Sequence, residues 1–215
     1  MFSKETYIAR RQALKEKMGS GLLLFLGNNF TGMNCIDNAY HFRQDSTFLY
    51  YFASDYEGLA AIIDVDNDKE IIFGDELSID AIVWTGVQPT IKEKCERIGI
   101  TITRPMSELG TYLKNAQAKG QEIHFLPPYR GDHQIWLQEL LGINYAEQEA
   151  KASMKLIRAI VSQRSYKSEE EIAQIEESVN VTVDMHLAAM HAIRPGVTEA
   201  EIAAIVQAEA KKHNF

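Results

Sequence analysis

A dense aromatic and polar stretch runs from residue 39 to residue 52 and reads Ala-Tyr-His-Phe-Arg-Gln-Asp-Ser-Thr-Phe-Leu-Tyr-Tyr-Phe. Its first half supplies an imidazole, a guanidinium, an amide and a carboxylate, from His41, Arg43, Gln44 and Asp45. The planar fork of an arginine suits a carboxylate, so this half is a candidate site for a charged or amide-bearing ligand. The alternative is an aromatic core strand after Thr47 with a structural Arg43–Asp45 bond at its mouth. Residue chemistry favours this structural alternative.

The remaining sequence contains no complete catalytic set. It has no nucleophile elbow, P-loop or dinucleotide-binding glycine motif, and neither cysteine has an adjacent histidine to lower its pKa. His186 and His191 stand five positions apart, on different faces of a helix, whereas a paired helical metal site needs a separation of about four. Asp64, Asp66 and Asp68 fall in a predicted turn, as is typical of a solvated hairpin tip. We therefore assign no catalytic residue and no metal ligand.

Trp84 is the second candidate for ligand binding. It stands before Thr85-Gly86, where a predicted short helix ends, and its indole could present a large flat face to a ligand. An indole at a helix end also serves as a core anchor. The residue type favours the core anchor over the ligand site.

Composition limits the class of partner. The chain has 215 residues, 46% of them hydrophobic and 24% charged, which is typical of a globular protein with a large core. Its net charge of −8 and pI near 5.3 argue against general binding to nucleic acid or to an anionic membrane, because phosphate surfaces attract clustered Lys and Arg. We expect no nucleic-acid or membrane partner.

The two cysteines and the apolar runs indicate the compartment. Cys35 and Cys95 lie far apart without C-x-x-C spacing, so we predict neither a disulfide framework nor a structural zinc site. The longest apolar run, Leu22–Leu26, is far too short to cross a bilayer, and the first residues carry charge rather than a leader-like apolar segment. We expect a cytoplasmic, unprocessed protein.

Strands and helices alternate through the first 165 residues. We predict a helix from Ser3 to Met18, a buried strand over Leu22–Leu26, a loop over 27–38, and a hairpin of Leu59–Val65 with Glu70–Phe73. The elements predicted after the hairpin are helices at 77–84, 91–98, 106–118 and 134–141 and strands at 100–103 and 122–126. This order implies an α/β domain over residues 1–165, with a mixed sheet covered by helices in three layers.

The rest of the chain is predicted to be helical. A bridging helix covers 146–164, and two capping boxes, Ser168 with Glu171 and Thr198 with Glu201, open two further amphipathic helices. A helical pair with no sheet of its own presents an apolar stripe that a complete domain would cover. We therefore interpret residues 166–215 as the opening helices of a truncated second domain.

Several ordered motifs resemble those of the Xaa-Pro aminopeptidase, or aminopeptidase P, family of pita-bread metallopeptidases, and they span nearly the whole chain. They are Arg10-Arg11 with Leu14 and Met18, His41-Phe42-Arg43-Gln44-Asp45-Ser46-Thr47-Phe48 with Tyr50 to Phe52, Trp84-Thr85-Gly86, Lys167-Ser168 with Glu171-Ile172, and His186 with Met190 and Arg194-Pro195-Gly196 before Glu199. The resemblance implies an N-terminal creatinase/aminopeptidase P-type domain, then the opening helices of the pita-bread domain.

The resemblance also implies a function. The complete enzyme would remove the N-terminal residue preceding proline, using two divalent ions, manganese, held by Asp, Asp, His, Glu and Glu ligands in the pita-bread domain. No such ligand can be carried over to this chain, so the chain as given would be inactive. The N-terminal domain would serve homo-oligomerisation and active-site access, and Trp84 would contact the X-Pro substrate of a neighbouring subunit.

Two alternatives stay open beside this interpretation. The first is a noncatalytic peptide-binding or histone-binding module of the same fold. The second is another enzyme of the group, a prolidase-type dipeptidase or a creatinase, which the arginine-glutamine segment disfavours. The resemblance also makes Arg43 and Asp45 parts of a fold signature. On that basis we expect Arg43→Ala to lower thermal stability more than it alters peptide binding.

Overall fold

A computed structural model describes residues 2–214, which divide after Gln163 into two compact units. The first unit contains a five-stranded sheet and a separate two-stranded hairpin. The strands are β1 (Leu22–Leu26), β2 (Gly32–Cys35), β3 (Asn38–Ala39), β4 (Ala60–Asp64), β5 (Lys69–Phe73), β6 (Ile102–Arg104) and β7 (Ile123–Phe125). The large sheet has the order β6-β5-β4-β1-β7. Its outer pairs, β1/β7 and β5/β6, are parallel, and its inner pairs are antiparallel, which confirms the predicted mixed sheet.

Helices connect these strands. They are α1 (Lys4–Met18), α2 (Ser46–Phe52), α3 (Ile79–Thr85), α4 (Ile91–Glu96), α5 (Leu109–Ala118), α6 (Gly131–Leu141), α7 (Tyr145–Lys151) and α8 (Met154–Ser165), and a 3-10 turn, Met106–Glu108, precedes α5. The cap predicted for α1 is present, because the Ser3 side chain accepts the Thr6 amide, and Gly19 ends the helix with a φ of 72°.

The sheet is buried on both faces, as the predicted three layers require. Leu23 and Phe25 pack into one core with side chains from α1, α2, α4 and α8. Leu22 and Leu24 point the other way, into a second core with α5 and α6. Successive strand side chains alternate between faces, so a strand covered on both sides reads as a continuous apolar run.

The predicted strand after Thr47 is wrong, since residues 46–52 form helix α2. The Asp45 carboxylate accepts the amides of Thr47 and Phe48, both at 2.9 Å, and so caps the first turn. Phe48, Tyr51 and Phe52 follow at helical spacing, and all three are fully buried in the first core. Capping and packing outweigh the β-propensity of the aromatic run.

Two other predictions need correction. The loop predicted over 27–38 contains the small β2/β3 hairpin. The bridging helix predicted over 146–164 is broken at Ala152 into α7 and α8, because the Ser153 amide donates to the Phe125 carbonyl at 3.0 Å instead of continuing a helix. This bond ties the break to the edge strand β7.

A buried guanidinium joins helix α1 to β5, to α2 and to the turn after α4. Arg11, on α1, has 0% exposure and donates to the Glu70 carboxylate on β5 at 2.7 Å. It also donates to the backbone carbonyls of Tyr51 at 2.9 Å and Ile98 at 2.7 Å. The charge is therefore both paired and hydrogen-bonded, as burial of a cation requires.

The second unit is helical, as predicted, and consists of α9 (Glu169–Ala192) and α10 (Glu199–Lys212). Both predicted capping boxes are formed, at Ser168 with Glu171 and at Thr198 with Glu201. An apolar stripe along α9 is about half exposed and comprises Ile172, Ile175, Val179, Val183, Leu187 and Met190. Taken by itself, the pair leaves its apolar face uncovered. None of the helices in residues 2–214 is both long and apolar enough to span a membrane.

We predict that Arg11→Met lowers the free energy of unfolding by about 3 kcal/mol, because it leaves a carboxylate and two carbonyls short of a buried partner. Urea unfolding measures this loss. The matched control is Arg104→Met, which breaks an exposed Arg–Glu pair of similar length, 2.8 Å, and should cost less than about 1 kcal/mol. Equal losses in the two variants would contradict the structural role of Arg11.

Candidate functional site

Trp84 lies at the end of helix α3, where it is almost fully in solvent. The Ser78 side chain caps the start of this helix, and Gly86, with a φ of 76°, ends it. The Trp84 side chain is 88% exposed, so the core-anchor interpretation favoured by the residue type is wrong. The indole is available to a ligand or to another chain.

The surroundings of Trp84 are apolar and exposed as well. We define the α3 surface as Trp84 together with Leu77, Ile79, Val83 and Val87, the last three of which are 78–86% exposed. Single exposed apolar side chains are ordinary, but five within eleven residues form the kind of patch that marks an interaction site.

The polar segment before α2 is held by the side chain of Gln44, which is 2% exposed. Its Oε1 accepts the Asn28 amide at 2.6 Å and the Asp45 amide at 2.8 Å, and its Nε2 donates to the Tyr56 carbonyl at 2.9 Å. Gln44 therefore joins the loop after β1 to the start of α2 and to the loop that follows α2, and serves structure rather than ligand binding.

The Arg43–Asp45 bond expected from the sequence is not formed within residues 2–214. Arg43 and His41 are exposed, and Arg43 contributes through its backbone carbonyl, which accepts the Asn28 side-chain amide at 2.8 Å. Asp45 instead caps α2 through Oδ1, while its Oδ2 accepts the Tyr129 hydroxyl at 3.2 Å. Of the four polar residues, only Gln44 and Asp45 hold other elements with their side chains.

The fold brings a second polar group to the same place, from the start of α6. The Arg130 guanidinium donates to the Asn29 carbonyl at 3.0 Å and to the Asp132 carboxylate at 2.9 Å, while His133 bonds the Gly27 carbonyl through Nε2 at 2.9 Å. These residues are more than 80 positions from the segment 41–45, and no spacing in the sequence links the two groups. Pro127-Pro128, which ends β7, was the one local signal that a loop begins here.

Burial and pairing shift the pKa values of this second group. Burial lowers the pKa of His133 and outweighs its bond to Gly27, so the imidazole is neutral near pH 7. The pKa of Asp132 is lowered although burial opposes this, because the Arg130 guanidinium bonds the carboxylate. Burial chiefly raises the pKa of the Tyr129 phenol.

The described residues do not fit a metal centre. Within residues 2–214, no three His, Cys, Asp or Glu side chains are grouped so that they could hold an ion. His186 and His191 both lie on α9 and form no such group. We therefore derive no chemical step through a metal from this chain.

The first unit is thus a three-layer α/β domain that carries an exposed, mainly aliphatic surface around Trp84. The family model described as aminopeptidase P, N-terminal domain, matches residues 7–125, more than half of the chain. The chain belongs to this family, which confirms the resemblance seen in its motifs.

Curated relatives match nearly the whole chain. An Xaa-Pro aminopeptidase of Escherichia coli is 27% identical over 223 residues, covering 98% of this chain and 50% of the relative. A probable Xaa-Pro aminopeptidase of Metarhizium acridum is 26% identical over 212 residues, covering 96% of this chain and 40% of the relative. The chain thus spans about half the length of these relatives and matches their N-terminal half.

Solved structures share the fold. An alanine variant of Escherichia coli aminopeptidase P superposes with a TM-score of 0.80 at 20% identity, covering 99% of this chain and 50% of that one. The zinc-substituted enzyme in complex with product has the same TM-score and 21% identity. At this level of identity the likeness establishes the three-layer domain and its helical continuation.

We predict that Gln44→Leu lowers the free energy of unfolding by about 3 kcal/mol, because it removes the partners of two buried amides and one carbonyl. Arg43→Ala should cost less than about 1 kcal/mol, since its side chain is exposed, which revises the expectation from the sequence. Thermal and urea unfolding of the two variants measure the difference. A larger loss of unfolding free energy for Arg43→Ala than for Gln44→Leu would show that the Gln44 side chain is not what stabilises this segment.

We predict that stability falls as the pH drops below about 6.5, the ordinary pKa of histidine. Burial lowers the pKa of His124 and of His133, so the folded state favours the neutral ring and the unfolded chain takes up the protons. Urea midpoints at pH values of about 7.5 and 5.5 measure the loss. His133→Gln keeps a donor for the Gly27 carbonyl but does not titrate, so this variant should lose less stability between the two pH values. An equal loss in the variant and the parent would show that His133 does not contribute to the pH dependence.

Proposed function

We propose that this chain is the N-terminal part of a manganese-dependent Xaa-Pro aminopeptidase, which removes the N-terminal residue preceding proline from peptides. The observation that carries the proposal is the similarity to Xaa-Pro aminopeptidases over 98% of the chain, from its first helix to α10. A family match to the N-terminal domain alone would not extend to α9 and α10, so the match to these helices favours an attached peptidase domain.

The proposed hydrolysis needs a set of metal ligands, which the side chains of residues 2–214 do not supply. A pair of divalent ions would activate water and polarise the scissile carbonyl, but no cluster of the described side chains fits even one ion. The chain by itself is therefore expected to be inactive. The uncovered apolar stripe of α9 supports this proposal, because a further part of the same protein would bury it.

The proposed role of the first unit is to assemble subunits and to narrow access to the active site. The α3 surface is our candidate for this role, with Trp84 contacting the X-Pro substrate of a neighbouring subunit. An exposed indole offers a flat apolar face on which a proline ring can stack. We further propose a cytoplasmic homo-oligomer without nucleic-acid or membrane partners, in keeping with the net charge of −8.

The test is release of the N-terminal residue from an X-Pro peptide with manganese added. We expect no turnover by the purified 215-residue chain and turnover by a longer protein that continues it. Metal-dependent turnover by the chain alone would contradict the proposed division of labour. A longer protein that binds the peptide without cleaving it would favour a noncatalytic module instead.

In the longer protein, Trp84→Ala should lower kcat/KM by about tenfold, the equivalent of one stacking contact of about 1.4 kcal/mol. Trp84→Phe keeps an aromatic face and should restore part of the loss. Tyr145→Ala is the matched control, because Tyr145 is another aromatic residue, 65% exposed, on α7 rather than on the α3 surface. Equal effects of Trp84→Ala and Tyr145→Ala on kcat/KM would remove Trp84 from the substrate site.

A further inference from the structure

A small cavity lies where the parallel strands β1 and β7 end. Its volume is about 50 Å³, and its walls are mainly apolar. The lining side chains include Leu24, Leu26, Phe125, Pro127, Pro128 and Leu137, with Asp45, Tyr129 and His133 as the polar members. The crevice beyond the carboxyl ends of parallel strands is where α/β sheets commonly bind ligands. A cavity of this size accepts a group of a few carbon atoms.

The polar members present acceptors to a ligand. Asp45 Oδ1 already accepts the amides of Thr47 and Phe48, whereas Oδ2 accepts, within residues 2–214, only the Tyr129 hydroxyl, at 3.2 Å, and keeps a further acceptor site. The His133 Nε2 donates to the Gly27 carbonyl at 2.9 Å, which makes Nδ1 the lone-pair nitrogen of a neutral ring. This Nδ1 forms no hydrogen bond with any residue in 2–214, although the side chain is only 5% exposed.

The charges at the cavity sum to a negative value. Asp45 is the carboxylate of its lining, while the neighbouring Arg130 and Asp132 neutralise each other at 2.9 Å. The charges of Asp45 and Arg130 both act on Tyr129 and His133. The Arg130 charge is offset by its ion pair with Asp132, which leaves Asp45, among the described residues, as the unpaired charge of this wall. A cation with N–H donors complements this wall, and an apolar body complements the rest.

We propose that this cavity binds an aliphatic primary ammonium, as carried by the N-terminal residue of a peptide or by a free amino acid derivative. The ammonium lies at Asp45 and the His133 Nδ1, and a small branched side chain fills the space between Leu24 and Leu137. The inference does not depend on the peptidase assignment, because every group that it uses belongs to the first unit.

The proposal is tested by amide chemical-shift titration of the 215-residue chain with valinamide, with a Val-Pro peptide and with N-acetylvalinamide. We expect saturable shifts at Gly27, Tyr129 and His133 with the first two ligands. The acetylated control lacks the ammonium and should bind at least about tenfold more weakly. Glycinamide, which lacks the side chain, should also bind about tenfold more weakly than valinamide. The tighter of valinamide and the peptide identifies the source of the ammonium.

Asp45→Asn provides the decisive variant, because asparagine keeps the oxygen that caps α2 while removing the charge. We expect affinity for valinamide to fall at least about tenfold, with only a small loss in melting temperature from the exposed bond of the Tyr129 hydroxyl to Oδ2. Asp55→Asn, the same change at an exposed carboxylate just after α2, should leave affinity unchanged. Equal binding of N-acetylvalinamide, equal affinity of Asp45→Asn and parent, or no saturable shift in the millimolar range would each overturn the proposal.

Discussion

The hydrogen bonds of the buried Gln44 side chain are the interaction on which the region between β1 and α2 depends. One side chain satisfies the backbone of Asn28, Asp45 and Tyr56, and so connects the exit of β1 to the start of α2 and to the loop after it. With these contacts in place, Asp45 can cap α2 and accept the Tyr129 hydroxyl with its other oxygen. A buried amide works here because it donates and accepts at once without bringing in a charge.

A similar constraint operates at α1, where Arg11 supplies only donors. The guanidinium meets one carboxylate and two carbonyls, so the surrounding elements provide a matched set of acceptors. Two of the motifs that carry the family resemblance, those with Arg11 and with Gln44, thus contain buried polar side chains with hydrogen-bond partners. Replacing any one of these residues would leave a buried donor or acceptor without a partner. This cost explains why these positions need these residue types.

The exposed surfaces have a different physical origin. The α3 surface and the α9 stripe consist of apolar side chains that the described residues leave in solvent, where they lose the free energy of burial. The cavity beside Asp45 is smaller and combines an apolar wall with a charged rim. Large open patches suit other polypeptide surfaces, whereas a small closed space suits one chemical group.

The sequence by itself determined the α/β class, the β4/β5 hairpin, the caps at Ser3, Ser168 and Thr198, and the family, because these depend on local periodicity, local hydrogen bonds and linear motifs. Tertiary structure decided that residues 46–52 form a helix, since their burial in a shared core outweighs β-propensity. It also decided that Trp84 is exposed and that Tyr129 and His133 line one cavity with Asp45. Contacts across more than 80 residues leave no periodic trace in a single chain, so only the folded sheet brings these groups together.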